Sequence, residues 1–134
     1  MRKTVTLLLS VILAIIIAGC SSEAPNPAIS NDLGYTQIST DEAVTMMAEE
    51  DGYVILDVRT PEEFREKHIA GAINIPNEEI GTEPIDQLAD LNQLILVYCR
   101  SGNRSKQASE KLAALGYTNV YEFGGINDWT GETE

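Results

Sequence analysis

Short apolar runs alternate with amphipathic segments throughout residues 34–134. The β-branched runs at residues 53–58 and 94–98 have the length and composition of buried strands. Shorter apolar runs predict three further strands, at residues 35–38, 73–75 and 119–123. Helical spacing and capping signals predict four helices between the strands: one through residue 49 behind the Ser39-x-x-Glu42 capping box, 61–68 with Pro61 in its first turn, 84–91, and 105–115 before Gly116.

Strands that alternate with helices at this spacing are typical of a parallel sheet whose two faces are both covered. The pattern therefore predicts an α/β domain with a small parallel-stranded sheet flanked by helices on both faces. The length of this part of the chain is enough for one modest core. In a sheet of this kind, binding sites form beyond the carboxyl ends of the strands, where Asp57 and Cys99 are expected.

The N-terminal segment resembles a bacterial lipoprotein signal. Arg2 and Lys3 precede an apolar segment at residues 5–18, and small residues lead to a cysteine in the sequence IAGC at residues 17–20. This resemblance implies cleavage before Cys20, lipidation of that cysteine, and attachment to the bacterial cell envelope on the extracytoplasmic side. An uncleaved membrane anchor is the alternative, but the apolar segment is shorter than the roughly 18 residues that such an anchor requires.

The predicted domain organisation has three parts. Residues 1–19 form the signal peptide, residues 20–33 form a lipidated tether rich in Ser, Pro, Asn and Ala, and residues 34–134 form the globular domain. Cleavage removes only Arg2 and Lys3 from the 9 basic residues, so 7 remain against 21 acidic residues and the formal charge becomes −14. This charge argues against nucleic acid as a partner.

Residues 99–105, with the sequence CRSGNRS, are the most informative segment of the chain. Cys99 lies between a predicted strand and a predicted helix, where backbone N–H groups and the helix dipole stabilise negative charge. Because Arg100 and Arg104 add positive charge to an acidic domain, we expect a lowered pKa for the Cys99 thiol and a small anionic substrate. An inert packing cysteine is the alternative, but it has no need of a glycine turn flanked by cations. With Cys20 consumed by lipid, Cys99 is the single free thiol.

Four motifs, taken in order, resemble a single-domain rhodanese over about residues 35–130. They are DVRTPEEF at residues 57–64, HIAGAINIP at 68–76, CRSGNRS at 99–105, and GG at 124–125 followed by Trp129. The resemblance implies a sulfurtransferase, in which Cys99 takes the outer sulfur of thiosulfate, sulfite leaves, and the persulfide passes its sulfur to cyanide or another thiophilic acceptor. This chemistry needs a thiolate but no metal or other cofactor.

On this resemblance, the loop supplies both a nucleophile and a binding cradle. Cys99 is the catalytic residue, and backbone N–H groups of the loop hold the terminal anionic sulfur, with Gly102 allowing the tight backbone turn. Either Arg100 or Arg104 holds the sulfonate end of the donor. We expect Arg104, because a residue next to the nucleophile often points away. The predicted substrate-binding residues are Arg100, Ser101, Gly102, Asn103, Arg104 and Ser105.

Residues near the end of the strand at 53–58 are expected to support the site. Asp57 and Arg59 are predicted to form an ion pair there rather than to touch the substrate. Glu63 is either a further partner of that pair or a solvated helix residue. Tyr98, directly before the nucleophile, is expected only to pack.

Two other functions stay open on the sequence. Cell-cycle phosphatases and arsenate reductases built on a rhodanese-like fold need a loop wide enough for a tetrahedral dianion. Their Cys-x5-Arg spacing would place an arginine at position 105, where this chain has Ser105, so the sequence favours the smaller sulfane sulfur. A persulfide carrier or sensor that binds a membrane partner would keep the same residues as an enzyme. Turnover with thiosulfate separates the carrier from the enzyme.

Overall fold

The structure of the chain, a computed structural model, describes residues 29–30 and 33–134. The predicted signal peptide at residues 1–19 and the lipidation site Cys20 lie outside the described residues, so both stay predictions. In the described ranges, no helix combines the length and the apolar character needed to cross a membrane.

The described residues form a six-stranded sheet. Its strands are β1 Ile29–Ser30, β2 Thr36–Gln37, β3 Val54–Asp57, β4 Ile73–Asn74, β5 Ile95–Cys99 and β6 Val120–Gly125. They lie in the order β1-β2-β6-β5-β3-β4. β1 pairs antiparallel with β2, and every other neighbouring pair is parallel. The central strand β5 is therefore covered on both edges, and its carboxyl end carries Cys99.

Three α-helices accompany the sheet: α1 Thr40–Glu49, α2 Pro61–Glu66 and α3 Asn103–Ala114. Ser39 and Thr60 open α1 and α2 with complete capping boxes. Each side chain accepts a hydrogen bond from the backbone N–H of the glutamate three residues on, and that glutamate side chain accepts from the backbone N–H of the cap residue. The buried apolar side chains of α1 and α3 belong to two different core clusters. The predicted α/β fold, a parallel sheet flanked by helices, is confirmed.

Strand β5 divides its side chains between the two faces of the sheet, as the alternation of a strand requires. Ile95, Val97 and Cys99 belong to the core cluster that includes the buried residues of α3. Leu96 and Tyr98 belong to the cluster that packs against α1. All five side chains are buried. Cys99 therefore faces the first turn of α3, and Tyr98 points to the opposite side.

The helix predicted at residues 84–91 is wrong, since only a short 3₁₀ turn forms there, Asp86–Leu88. The apolar residues Ile85 and Leu88 produce the helical spacing, and the Leu88 N–H donates to the Ile85 carbonyl at 3.0 Å. The Leu88 carbonyl accepts instead from the Tyr117 hydroxyl at 2.6 Å. The Tyr117 hydroxyl, distant in sequence, thus occupies the carbonyl oxygen that would accept the next hydrogen bond of a helix.

Helix α2 ends at Glu66, two residues before its predicted end. Lys67 is extended, and its carbonyl accepts from Arg59 Nη2 at 2.7 Å. His68 Nδ1 lies 2.8 Å from the Phe64 carbonyl oxygen, and this ring nitrogen takes the place of the next helical N–H. Side chains from outside the helix therefore satisfy the carbonyl groups at its end.

The start of one helix also differs from its prediction. Helix α3 begins at Asn103 rather than at residue 105, because Gly102 turns the chain with φ 112° and its carbonyl accepts the first helical hydrogen bond, from the Lys106 N–H at 3.2 Å. Strand β1 lies inside the predicted tether of residues 20–33. Residues 29–30 of that segment therefore pair with β2 as a strand of the sheet.

Candidate active site

The Cys99 thiol lies inside a tight loop between β5 and α3. The Gly102 N–H donates to Cys99 Sγ at 3.0 Å, and Sγ lies 3.5 Å from the Ser105 hydroxyl oxygen. Burial raises the pKa of the thiol, but hydrogen bonds from the Ser105 hydroxyl and from the N–H groups of Ser105, Gly102 and Ser101 outweigh burial and bring the pKa below its ordinary value. The loop therefore favours the thiolate.

The loop rests directly on the backbone of β6. A Cβ atom at Gly125 would lie 2.0 Å from the carbonyl oxygen of Arg100 and 2.6 Å from the backbone nitrogen of Ser101. The Asn127 N–H donates to the same carbonyl at 3.3 Å. Only glycine fits at position 125, and this close approach sets the position of the loop that contains Cys99.

Arg100 and Arg104 both turn towards Glu63 of α2. Arg104 donates from Nη1 to Oε2 at 2.7 Å and from Nη2 to Oε1 at 3.1 Å, and Arg100 donates from Nε to Oε1 at 3.0 Å. The hydrogen bonds from Arg104 hold the pKa of the Glu63 carboxyl well below its usual range. The side chains of Arg104 and Arg100 are 28% and 57% exposed. Because Glu63 cancels one of the two positive charges, the two arginines and Glu63 together keep a net charge of about +1.

Asp57 and Arg59 form the predicted ion pair, and both side chains are buried. Arg59 Nη2 lies 2.6 Å from Asp57 Oδ2, and Arg59 Nε lies 3.0 Å from Oδ1. The expectation that Tyr98 only packs is wrong, because its hydroxyl donates to Asp57 Oδ2 at 2.6 Å and accepts from the Ile69 N–H at 3.0 Å. Burial raises the pKa of Tyr98, so the hydroxyl stays protonated as a donor. This network ties β3 to the strand that carries Cys99.

A buried carboxyl group lies behind the loop, on the α3 side of Cys99. Glu122 of β6 is 3% exposed, and its Oε1 accepts from the Ser105 hydroxyl at 2.6 Å and from the Gly124 N–H at 2.8 Å. The pairing of β5 with β6 shifts register between Val97 and Cys99. A bulge of this kind re-aims side chains, and here it accompanies the contact of Glu122 with the first turn of α3.

The comparison with known proteins identifies the fold family. A family model for the rhodanese-like domain matches residues 39–132. The chain belongs to the rhodanese-like domain family. Its relatives include the thiosulfate sulfurtransferase PspE of Escherichia coli strain K12, which is 42% identical over 73 residues, covering 54% of this chain and 70% of PspE. The thiosulfate sulfurtransferase GlpE of Pseudomonas entomophila strain L48 is 34% identical over 96 residues, covering 71% of this chain and 84% of GlpE.

Solved structures agree with this membership. A rhodanese with anions from E. coli is 40% identical, with a TM-score of 0.56, and the match covers 61% of this chain and 96% of that structure. The rhodanese-like domain of an Anabaena protein is 27% identical, with a TM-score of 0.66, and the match covers 73% and 77% of the two chains. This rhodanese domain is thus an enzyme of the sulfurtransferase type.

The rhodanese domain brings the predicted loop residues together around Cys99. Gly102 and Ser105 are buried and contact the sulfur, whereas Ser101 and Asn103 are exposed at the rim of the loop. The roles of these residues and of both arginines in substrate binding stay predictions. The expected lowering of the Cys99 pKa is present, but hydrogen bonds rather than the arginine charges are its leading favourable causes.

Sequence reasoning misassigned one acidic residue of this site, Glu63, and missed another, Glu122. Neither interpretation of Glu63 is right, since its partners are Arg100 and Arg104. Its local signal is the Thr60-x-x-Glu63 capping box, which fixes the carboxylate at the start of α2 but does not reveal what it faces. The signal for Glu122 is an acidic residue within the otherwise apolar run VYEF at residues 120–123.

Proposed function

We propose that this rhodanese domain moves sulfane sulfur from thiosulfate or a related donor to a thiophilic acceptor through a persulfide on Cys99. In the first half-reaction the thiolate attacks the outer sulfur of the donor, a new S–S bond forms, and sulfite leaves with the electron pair of the broken bond. In the second, cyanide or a thiol attacks the outer sulfur of the persulfide, and Cys99 leaves as a thiolate. Each step is a displacement at sulfur by an anionic nucleophile with an anionic leaving group, so neither a metal nor another cofactor enters this scheme.

The observation that carries the proposal is the environment of the sulfur. Cys99 Sγ accepts the Gly102 N–H at 3.0 Å, and the pKa of the thiol lies below its usual value because hydrogen bonds outweigh burial. Donors arranged in this way stabilise both a thiolate and the anion of a persulfide. The relatives named thiosulfate sulfurtransferase supply the class of donor.

Mass spectrometry of the mature protein after treatment with thiosulfate tests this function. We expect one added sulfur atom per chain, located on the peptide that contains Cys99, and we expect cyanide to remove it as thiocyanate. A protein that gains no sulfur, or gains it only at Cys20, would contradict the proposal.

A persulfide carrier is the second candidate function. The putative sulfur carrier protein YrkF of Bacillus subtilis strain 168 is 33% identical over 109 residues, covering 81% of this chain and 53% of YrkF. A carrier and an enzyme share the persulfide and differ in turnover. Many thiocyanate molecules formed per chain, with excess thiosulfate and cyanide, indicate the enzyme, whereas about one per chain indicates a carrier.

Replacement of Arg104 by alanine is expected to lower kcat/KM for thiosulfate by roughly 10- to 100-fold, the loss of one charge-assisted hydrogen bond worth about 1.5–3 kcal/mol. Lys106→Ala removes an exposed positive charge from the same helix turn and should leave kcat/KM within about twofold. Steady-state kinetics with thiosulfate as the varied substrate measures both effects. If Arg100→Ala is much more damaging than Arg104→Ala, the assignment of the two arginines is reversed.

We further propose that lipid on Cys20 holds the domain at the extracytoplasmic side of the bacterial envelope. The support is the sequence IAGC at residues 17–20 behind a positively charged start. Several acyl chains, at about 0.8 kcal/mol per buried CH₂, give a stable attachment that one chain does not.

Replacement of Cys20 by alanine is expected to block lipidation and the processing that depends on it. The precursor should then accumulate at higher apparent mass, held only by its apolar segment, whereas wild type and Ser21→Ala should fractionate with membranes at the mature size. A chain that starts near Ser22 should be soluble and fully active. Membrane fractionation with detergent extraction and immunoblotting follows these forms. Maturation of Cys20→Ala to the wild-type size, followed by its release, would show that an ordinary signal peptidase acts instead.

A further inference from the structure

An unbroken hydrogen-bonded path leads from the nucleophile to the buried carboxyl group of Glu122. Cys99 Sγ donates to Ser105 Oγ at 3.5 Å, and Ser105 Oγ donates to Glu122 Oε1 at 2.6 Å. The second contact is at the short end of the range for a hydroxyl that donates to a carboxylate. The serine hydroxyl can accept one proton while it donates another, so the path can carry a proton in either direction.

We propose that Glu122 holds the proton that Cys99 gives up when it becomes the reactive thiolate. The S–H bond of Cys99 breaks as its proton moves to Ser105 Oγ, and the original hydroxyl proton of Ser105 moves to Glu122 Oε1. No electron is gained or lost, and no proton leaves the site. The single negative charge moves from the carboxylate to the sulfur, and Ser105 then donates to the thiolate.

Burial supplies the reason for this exchange. Cys99 is 1% exposed and Glu122 is 3% exposed, and among the described residues no cationic side chain forms an ion pair with Glu122. Two negative charges in one buried, hydrogen-bonded group strongly disfavour each other, as in paired carboxylates that share one proton. A neutral Glu122 therefore accompanies the thiolate.

The charged groups around the path do not supply a positive charge that would stabilise an ionised Glu122 beside the Cys99 thiolate. From α3, Arg104 interacts with the charge of the thiolate, but it is also bonded to Glu63. From the segment before β2, Tyr35 lies near Glu122. Burial raises the pKa of Tyr35, so its hydroxyl stays neutral. Glu110 of α3 adds negative charge on the same side.

The infrared spectrum of the full-length protein in detergent, without any sulfur donor, tests the proposal. At neutral pH the wild type should show the carbonyl stretch of a protonated, buried carboxylic acid, while ultraviolet absorbance shows that Cys99 is a thiolate. Cys99→Ser should lose this carboxylic acid band, because a serine hydroxyl does not release a proton at this pH. Glu122→Gln should lose the band too, and Glu110→Gln, which removes an exposed acid from α3, should keep it.

Each outcome decides the proposal. A thiolate without the carboxylic acid band shows that Glu122 stays ionised, and a band that persists in Cys99→Ser shows that its proton comes from solvent; either result overturns the proposal. The comparison of wild type with Cys99→Ser suffices if Glu122→Gln fails to fold. The proposal rests on Cys99 as the proposed nucleophile, but the two fail separately. If a persulfide forms but the carboxylic acid band is absent, only the proposed role of Glu122 is contradicted. If the band is present but no persulfide forms, only the proposed sulfur transfer is contradicted.

Discussion

Replacement of Cys99 by serine is expected to reduce thiosulfate:cyanide sulfur transfer to the uncatalysed rate. A hydroxyl oxygen of similar size fills the same place beside Gly102 and Ser105, but it does not form a persulfide. Because the substitution only exchanges one buried sulfur atom for oxygen, the domain should unfold at nearly the same temperature as the wild type. Thiocyanate formation and thermal unfolding by circular dichroism measure the two effects.

The other cysteine of the chain provides the matched control. Cys20→Ser, assayed in detergent extracts, should keep the full transfer rate, since Cys20 lies in the predicted tether and outside the loop chemistry. Activity of Cys99→Ser above the uncatalysed rate would show that another group is the nucleophile. Loss of activity in both variants would point to an effect of the thiols on folding or handling.

Replacement of Gly125 by alanine is expected to lower kcat/KM by at least about 100-fold, because a displacement of the reacting atom by about 1 Å has an effect of this size. The added Cβ would meet the Arg100 carbonyl oxygen at 2.0 Å, so the loop has to move. The sulfur would then lose its place relative to the Gly102 N–H. Overpacking should also lower the free energy of unfolding by about 1–3 kcal/mol. Steady-state kinetics and urea unfolding give the two values.

Gly81 is the matched control for this substitution. A Cβ at Gly81 has no heavy atom within 4 Å, so Gly81→Ala should keep both activity and stability. A Gly125→Ala variant with wild-type kinetics would show that the position of the loop does not depend on its contact with β6. Loss of stability without loss of activity would limit the role of Gly125 to packing.

The part of the site that sequence predicts well is local in the chain. The apolar run that becomes β5, the cysteine at its end and the glycine directly before α3 follow one another within residues 94–105, and local rules connect them. The Ser39 capping box predicts the start of α1 for the same reason. Asp57 and Arg59, two residues apart at a strand end, are close enough for their ion pair to be predicted from sequence.

The contacts that sequence reasoning missed join distant positions. Glu63 lies 41 residues before Arg104, and Ser105 lies 17 residues before Glu122. The Tyr98 hydroxyl also reaches across 41 residues to Asp57. No periodicity or capping rule links such pairs, because their distance is set by how the strands order in the sheet.

Sequence alone determined the order of strands β2 to β6 and helices α1 to α3, their parallel sheet and the placement of Cys99 at a strand end, because each depends on spacing between near neighbours. The tertiary structure decided the rest. It limited residues 84–91 to a short turn, since the Tyr117 hydroxyl donates a hydrogen bond to the Leu88 carbonyl. It paired both arginines with Glu63 and placed Glu122 against Ser105. Strand order and a shift of register brought these charges together, and neither leaves a local mark in the chain.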